Sequence, residues 1–430
     1  MNVDHIGVSP FGGAAGSDLK PDVAAVDAPA PSRCVISPST TPIDPWTDAK
    51  AAIDQRFMPS TMASARPTPA DPTLDVVAYT LGCCGAWSET MSMLPAGILL
   101  DEIPISASAL NLVAQNRTAI SRVIAGLDSR LVVVVGPCSI HDVTSALEYG
   151  IRLKALADMY SPQLIVVMRA YFEKPRTSIG WKGLIRDPDL NGTHRINEGL
   201  RMARKLMLEL NDLGLPTASE FLDPQMPQYL GDLTSWATIG ARTSESQVHR
   251  ELASGLPMPV GFKNGTDGAL QTAVNAVLTA RVPHCFPSVT RQGVTAIVHT
   301  TGNRSCHVIL RGGSRTGPNF GTRHVADVCE RLATGQLPAR VMIDCSHDNC
   351  GKDHTRQKDV VASICDQLSC GSWNVFGAMI ESNLIEGRQE YISGTPAVYG
   401  QSITDPCVSI QDTERMLAQL ATAQERRAAW

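Results

Sequence analysis

Eight short runs rich in apolar and β-branched residues recur between positions 131 and 382. Runs that are apolar at consecutive positions are typical of strands buried on both faces of a parallel sheet. Helix-like segments such as INEGLRMARKLMLELNDLG separate most of them, so we expect parallel crossovers rather than hairpins. The predicted strands are LVVVVG (131–136), LIVVMR (164–169), TASEFL (217–222), ATIGAR (237–242), PVGFKN (259–264), HVILRG (307–312), RVMIDC (340–345) and VFGAMIES (375–382).

Eight β-α units in about 300 residues predict an α/β protein with a closed (β/α)8 TIM barrel. The strand pattern alone leaves an open, doubly wound parallel sheet as the structural alternative. An amphipathic segment, ALNLVAQNRTAISRVIAGL, precedes the first strand and predicts a helix. The composition, 43% hydrophobic and 18% charged, is that of a globular protein and excludes a disordered chain.

The chain divides into two regions by composition. Its first part is rich in Pro, Ala, Ser, Thr and Asp and has no sustained helical or strand period, so we expect residues 1–90 to form a low-complexity, mobile N-terminal extension. Residues 91–430 would then form the barrel domain. Acidic residues near the start argue against a transit peptide, which is the alternative reading of this region.

Charge and hydropathy limit the partners that we expect. The net charge of -5 provides no basic field for nucleic acid or an anionic membrane surface, so neither is expected as a partner. No stretch approaches the length of an apolar membrane span, and the first residues lack a secretory pattern. We therefore expect a cytoplasmic protein whose cysteines are mostly reduced.

Charged side chains follow nearly every predicted strand. Because the carboxyl ends of all strands meet at one face of a barrel, these side chains should surround a single rim. Clustered cations need anions between them, and guanidinium groups match phosphate and carboxylate oxygens well, so we expect a substrate with several negative charges. Pairing with a nearby Asp or Glu is the alternative for any single cation. The six cations are Arg169, Lys174, Arg176, Arg242, Lys263 and Arg311.

A second set of side chains has the chemistry of metal ligands. Cys138 and Glu381 lie at the ends of the first and last predicted strands, which are neighbours in a closed barrel, and His347 follows the seventh. Asp405 lies just beyond, in YGQSITDP. This donor set suits a divalent transition metal such as Mn, Fe, Co or Zn better than magnesium. Buried cysteines and histidines are often structural, so the residues alone leave this site open.

Four long segments carry a close resemblance to a known family. They are GPCSIHD, MRAYFEKPRTSIGWKGLIRDP, GARTSESQVHRELASGLPMPVGFKNGTDG and YGQSITD. The chain resembles the type I 3-deoxy-D-arabino-heptulosonate 7-phosphate (DAHP) synthases of bacteria and fungi, the phenylalanine- or tyrosine-regulated type. The resemblance implies a (β/α)8 barrel, a homodimer or homotetramer, and the metal-dependent condensation of phosphoenolpyruvate with erythrose 4-phosphate that begins the shikimate pathway to aromatic amino acids.

The resemblance also implies individual roles. Lys174 would be catalytic, protonating or hydrogen-bonding the developing alkoxide of the aldose. The metal ligands would be Cys138, His347, Glu381 and Asp405. Phosphoenolpyruvate would be bound among Arg169, Arg242, Lys263 and Arg311, and the aldose by Arg176 and Thr177.

Relatives in this family bind an aromatic amino acid as a feedback effector, and the resemblance implies a matching pocket. One position departs from the pattern, because the chain reads ASGLP where relatives commonly have ASGLS, so Pro257 lacks a hydroxyl and a backbone donor. We therefore expect altered feedback control, with a harmless loop variant as the alternative. The candidate pocket residues are Pro227, Gln228, Pro257, Phe286, Ser288 and Val298.

A class II metal aldolase would also use a metal but would typically bind it through several histidines, and two further rival functions remain at this point. The first is another phosphoenolpyruvate aldol synthase, such as an octulosonate 8-phosphate enzyme, which the KPRT string argues against. The second is a non-catalytic regulatory subunit that binds aromatic amino acids. Intact Cys138, Lys174, His347 and Glu381 weigh against that reading.

Overall fold

A computed structural model describes residues 91–176, 179–392 and 397–429 of the chain. Its main sheet contains eight parallel strands that close on themselves. Strand β1 (Leu131–Gly136) pairs with β2 (Leu164–Arg169) on one side and with β10 (Val375–Asn383) on the other, so the ring has no open edge. The predicted (β/α)8 barrel is confirmed, and the open doubly wound sheet is excluded. The predicted extension, residues 1–90, lies outside the described residues.

The remaining elements follow in chain order. The other strands are β3 (Thr217–Glu220), β4 (Thr234–Ile239), β5 (Val260–Lys263), β6 (Cys285–Val289), β7 (Thr295–His299), β8 (His307–Leu310), β9 (Val341–Asp344) and β11 (Val408–Ser409). The α-helices of the described residues are α1 (Ala96–Glu102), α2 (Ala107–Ile124), α3 (Val143–Met159), α4 (Ile196–Asp212), α5 (Met226–Leu230), α6 (Gln247–Ser254), α7 (Leu270–Ala280), α8 (Thr322–Thr334), α9 (Gln357–Ser369) and α10 (Ile410–Ala428). Short 3-10 helices span Gly231–Leu233 and His354–Arg356.

The barrel strands are buried on both faces, which explains their continuous apolar runs. Along β1, Val132 and Val134 point into the barrel interior, where they join a cluster with Trp236. The alternating residues Val133 and Val135 belong to the outer cluster, which packs the strands against the helices. Because successive side chains of a strand point to opposite faces, one apolar run supplies both the barrel interior and the layer between the strands and the helices.

Helix α2 closes the amino-terminal end of the barrel. The Ser106 side chain caps it by accepting a hydrogen bond from the Ala109 backbone N–H, at 3.1 Å. Ile120 and Val123 pack into the interior cluster, and Arg117 donates to the Thr234 carbonyl at the start of β4, at 3.0 Å. Because this helix covers the barrel interior at the amino-terminal end, the interior is open to ligands only from the carboxyl end.

The strands β6 and β7 form an antiparallel hairpin between α7 and β8 that the sequence did not predict. Its burial alternates: Phe286 pairs with Val298 on the half-buried face, whereas Cys285 and Ile297 are exposed. Among the helices of the described residues, none combines the length and the apolar character needed to cross a membrane.

Candidate active site

A cavity of about 420 Å³ opens at the carboxyl ends of the barrel strands. All six cations predicted from the strand ends line it, together with Lys352. Five acidic side chains also line it. They are Glu173, Glu220, Asp348, Glu381 and Asp405. The predicted residue Thr177 lies outside the described residues.

Four of the six cations pair with a carboxylate inside the protein. Each pair has an N···O distance of 3.0 Å or less. Pairing with a nearby Asp or Glu, the alternative given above for any single cation, therefore applies to these four. The pairs are Arg169–Glu381 at 3.0 Å, Lys174–Asp405 at 2.7 Å, Lys263–Asp344 at 2.9 Å and Arg311–Asp348 at 2.6 Å. Arg176 instead donates to the Trp181 carbonyl at 2.9 Å. These partners hold the basic groups in fixed positions around the cavity before any ligand arrives.

Three of the four predicted metal ligands converge. The ligand atoms of Cys138, Glu381 and Asp405 all lie within 4.8 Å of one another. The ammonium nitrogen of Lys174 lies among them, 2.9 Å from the Cys138 Sγ and 2.7 Å from the Asp405 Oδ2. A cation therefore already lies against two of the donors.

The fourth predicted ligand, His347, lies beside this cluster and outside the 4.8 Å set. Its Nε2 atom is 3.8 Å from the Glu381 Oε1, and its Nδ1 atom is 2.9 Å from the Asp344 Oδ2. A carboxylate next to Nδ1 orients a histidine so that Nε2 is available as a ligand. His347 adopts a left-handed backbone, with φ of 59°, which few non-glycine residues do and which directs this turn after β9.

Glu381, at the end of β10, is fixed from several directions. Arg169 donates to its Oε1 and Ser346 donates to its Oε2, at 3.0 and 2.7 Å. The Gln357 side chain binds both its backbone N–H and its carbonyl, each at 2.9 Å. The buried carboxylate thus has a defined orientation without depending on a loop.

Burial and neighbouring charges set the protonation of these groups. Burial, together with the charge of Glu381, raises the pKa of the Cys138 thiol to about 12, although Lys174 opposes this shift. Burial alone would raise the pKa of Asp405, but Lys174 outweighs it and holds that pKa well below its usual range. The thiol is therefore protonated unless a stronger positive charge binds beside it.

Comparisons with known proteins match the chain to one family. The family model described as the DAHP synthetase I family matches residues 102–418, most of the chain. The chain belongs to the DAHP synthetase I family. The predicted family is therefore confirmed.

Relatives of this DAHP synthetase I family chain are similar over nearly their whole length. A phospho-2-dehydro-3-deoxyheptonate aldolase named Phe-sensitive, from Escherichia coli strain K12, is 54% identical over 339 residues, covering 79% of this chain and 96% of that protein. A phospho-2-dehydro-3-deoxyheptonate aldolase from Haemophilus influenzae, whose name specifies no effector, is 53% identical over 332 residues, covering 77% of this chain and 91% of that protein. A solved structure of the Francisella tularensis SCHU S4 aldolase has a TM-score of 0.78 at 50% identity, covering 79% and 99%.

The donor set fits a metal ion of the kind expected from the DAHP synthetase I resemblance. A thiol, an imidazole and two carboxylates suit a divalent transition metal. The Lys174 ammonium against Cys138 and Asp405 shows that these donors accommodate a positive charge in this position. The family member therefore contains a candidate metal site.

Sequence reasoning missed two acidic residues of this cavity. Glu173 accepts hydrogen bonds from the backbone N–H groups of Leu222 and Asp223, yet burial raises its pKa to about 8. Glu220, at the end of β3, packs directly against Gly240, where a Cβ atom would overlap its carboxylate. Both residues are visible in YFEKPRT and TASEFL, but an acidic residue near several cations is equally well explained as an ion-pair partner, so the sequence does not single them out.

Three buried asparagines position the loops that follow β5, β8 and β9, and the sequence did not indicate this role. Asn264 accepts from the Arg311 backbone N–H at 2.9 Å and donates to the Gly312 carbonyl. Asn319 donates to the Asn264 side chain at 3.2 Å, and Asn349 accepts from the Asn319 backbone N–H at 2.8 Å. This network holds Arg311 against the cavity.

The predicted effector residues lie in three places. Phe286, Ser288 and Val298 share the half-buried face of the β6–β7 hairpin, and Pro227 and Gln228 lie on α5. Pro257 lies in the loop before β5 and lines a second cavity. Within the described residues, none of the other five lines that second cavity.

Proposed function

We propose that this chain condenses phosphoenolpyruvate with erythrose 4-phosphate and water to give DAHP and inorganic phosphate. One observation carries the proposal: Lys174 lies against candidate metal ligands inside a cavity that is also lined by arginines. This arrangement combines a proton donor, a cation site and binding groups for two anionic substrates. The names of the relatives and the family match support the same reaction.

The basic residues of the cavity would bind the two substrates. We infer that Arg169, Arg242, Lys263 and Arg311 bind the phosphate and carboxylate of phosphoenolpyruvate, and that Arg176 and Thr177 bind the aldose phosphate. The carboxylate partners of Arg169, Lys263 and Arg311 keep these three side chains oriented but leave further N–H groups for substrate oxygens. Their main contribution would be to hold two polyanions close together against their repulsion.

A divalent transition metal, Mn, Fe, Co or Zn, would be bound by Cys138, His347, Glu381 and Asp405. When bound, it would supply Lewis acidity toward the aldehyde of the aldose. The Nζ atom of Lys174 would donate a proton or a hydrogen bond to the alkoxide oxygen as C3 of phosphoenolpyruvate forms the new carbon–carbon bond. Water then adds at C2, and phosphate leaves as its bond to that carbon breaks.

A turnover assay tests this proposal. Purified protein is incubated with both substrates, with Mn²⁺ or after treatment with EDTA, and phosphate release and DAHP formation are measured. We expect equal amounts of the two products with metal and little turnover after EDTA. Replacing erythrose 4-phosphate with arabinose 5-phosphate controls for an octulosonate enzyme, and preference for arabinose 5-phosphate would reject the proposal. Absence of turnover in a correctly folded, metal-loaded protein would favour a regulatory subunit.

We also infer a homodimer or homotetramer in the cytoplasm. The hairpin exposes apolar side chains, with Val294 61% and Ile297 73% exposed. Homodimer interfaces are more apolar than the rest of a protein surface, so this face of the hairpin is a candidate for subunit contact. Light scattering coupled to size-exclusion chromatography measures the mass directly, and a monomer at micromolar concentration would contradict this inference.

A further inference from the structure

The amino-terminal end of the barrel contains a second cavity, of about 560 Å³. It lies between the end of α2 and the loops that lead into β5, β8 and β9, so it opens on the face opposite the candidate active site. Four arginines line it, and within the described residues no acidic side chain does. They are Arg117, Arg122, Arg281 and Arg304. A concentration of positive charge without carboxylates is unexpected in a chain of net charge -5.

Three of the four guanidinium groups, those of Arg117, Arg122 and Arg281, are oriented by backbone carbonyls. Arg117 donates to the carbonyls of Thr234 and Gly231, and Arg122 donates to the Leu127 carbonyl at 3.1 Å. Arg281 donates to the backbone carbonyl of Arg304. A carbonyl carries only a partial charge, so these bonds fix the guanidinium groups without neutralising them.

Two acidic groups that act on these arginines are already paired with other arginines. Asp232 acts on Arg117 but accepts two hydrogen bonds from Arg204, each at 2.8 Å. Asp128 lies near Arg122 and binds Arg130 at 2.7 Å. The positive charge of Arg304 lowers the pKa of Arg281, after the larger effect of burial. Like charges are therefore held close together with no full countercharge inside the cavity.

We propose that this cavity binds a small polyanion, a phosphate ester or a polycarboxylate. Its volume is in the range of small-molecule sites, and guanidinium groups match phosphate and carboxylate oxygens in pairs. The hydroxyl of Ser121, which lies within 2.9 Å of the Ser305 hydroxyl at the cavity wall, adds a neutral donor. Because the cavity lies at the other end of the barrel from Lys174, its occupant is an effector rather than a reactant.

Calorimetric titration of the full chain with pyrophosphate, and separately with citrate, tests the proposal. The main variant is Arg304→Gln, because Arg304 is exposed and its replacement should not disturb folding. Arg415→Gln is the matched control, since it removes an exposed arginine on α10. Polyanion bound at the active site contributes equally to all three proteins, so differences report on the second cavity.

We expect wild-type protein and Arg415→Gln to bind one polyanion more than the active site alone holds. In Arg304→Gln the affinity of that additional site should fall by roughly 10-fold, and in Arg281→Gln/Arg304→Gln it should disappear. Tighter binding of pyrophosphate would identify phosphate esters as the ligand class, and tighter binding of citrate would identify polycarboxylates. The proposal would be overturned if wild-type protein and Arg304→Gln gave identical isotherms and had the same kcat/KM.

Discussion

The Nζ atom of Lys174 lies 2.9 Å from the Sγ atom of Cys138. These residues are far apart in sequence and come from the segments that follow two neighbouring strands, β1 and β2. The contact places the proposed acid next to a proposed metal ligand, so binding of the ion and delivery of a proton are local to one another. Because the two roles belong to different side chains, each can be tested by replacing one residue while the other remains.

Replacing Lys174 with Met removes the ammonium but keeps most of the apolar side chain. We expect kcat to fall by at least ~100-fold, the usual scale for loss of a general acid. Lys154→Met, which removes the lysine of an exposed pair with Asp158 on α3, is the control and should behave as wild type. A change confined to KM would make Lys174 a binding residue instead.

Replacing Cys138 with Ala removes one donor from the candidate metal site. We expect metal content, measured by mass spectrometry after dialysis, to fall to background and turnover to be lost while the melting temperature of the metal-free protein changes little. Cys285→Ala removes an exposed thiol on the hairpin and serves as the control. Normal metal content and near-normal turnover in Cys138→Ala would rule out the thiolate ligand.

Replacing Gly240 with Ala should displace Glu220 from its position at the cavity. The added Cβ would overlap the Glu220 carboxylate, which is the movable end of a side chain, so the carboxylate rotates and the fold survives. We expect kcat/KM to fall at least ~10-fold, with a loss of stability of about 1–3 kcal/mol. Gly231→Ala, where the nearest atom is 3.9 Å from the new Cβ, is the control. Full activity in Gly240→Ala would mean that the position of Glu220 is unimportant.

The barrel could be predicted because its strands are buried on both faces and therefore appear as continuous apolar runs. The predicted strand at 131–136 coincides with β1, whereas the predicted strand at 237–242 begins three residues after the start of β4, because polar Thr234 and Ser235 are buried there. The β6–β7 hairpin was missed because it is half exposed, so it lacks a continuous apolar run.

The site was predictable to the extent that its residues end strands. Cys138, Glu381 and Lys174 could be grouped because neighbouring strands bring their ends together. The internal partners of the cations could not be predicted. Asp344 contacts both Lys263 and His347, and this depends on side-chain directions inside the barrel that spacing does not determine.

The buried imidazole of His307 predicts a pH dependence of stability. Burial lowers its pKa from 6.5 to about 4, and its Nε2 accepts a hydrogen bond from Trp236 at 3.2 Å. The unfolded chain therefore binds the proton first as the pH falls. The neutral imidazole therefore contributes about 3 kcal/mol to the free energy of unfolding above pH ~6.5, and this contribution is lost as the pH falls to ~4. In His307→Gln, which keeps an acceptor for Trp236, the free energy of unfolding measured with urea should decline less steeply as the pH falls. A pH profile identical to that of the wild-type protein would contradict this.

Pro257 occupies a position where relatives commonly have a serine, and this difference predicts weak feedback inhibition. Phe286, Ser288 and Val298 lie on one face of the hairpin, and Pro257 lies in the loop before β5, where proline offers neither a hydroxyl nor a backbone N–H to an effector. We expect phenylalanine and tyrosine at millimolar concentration to change initial rates little. Pro257→Ser should increase inhibition by one of them at least ~5-fold, whereas Pro338→Ser, which changes the other proline lining the second cavity, should not. Strong inhibition of the wild-type protein at micromolar phenylalanine or tyrosine would show that the proline is a neutral loop variant.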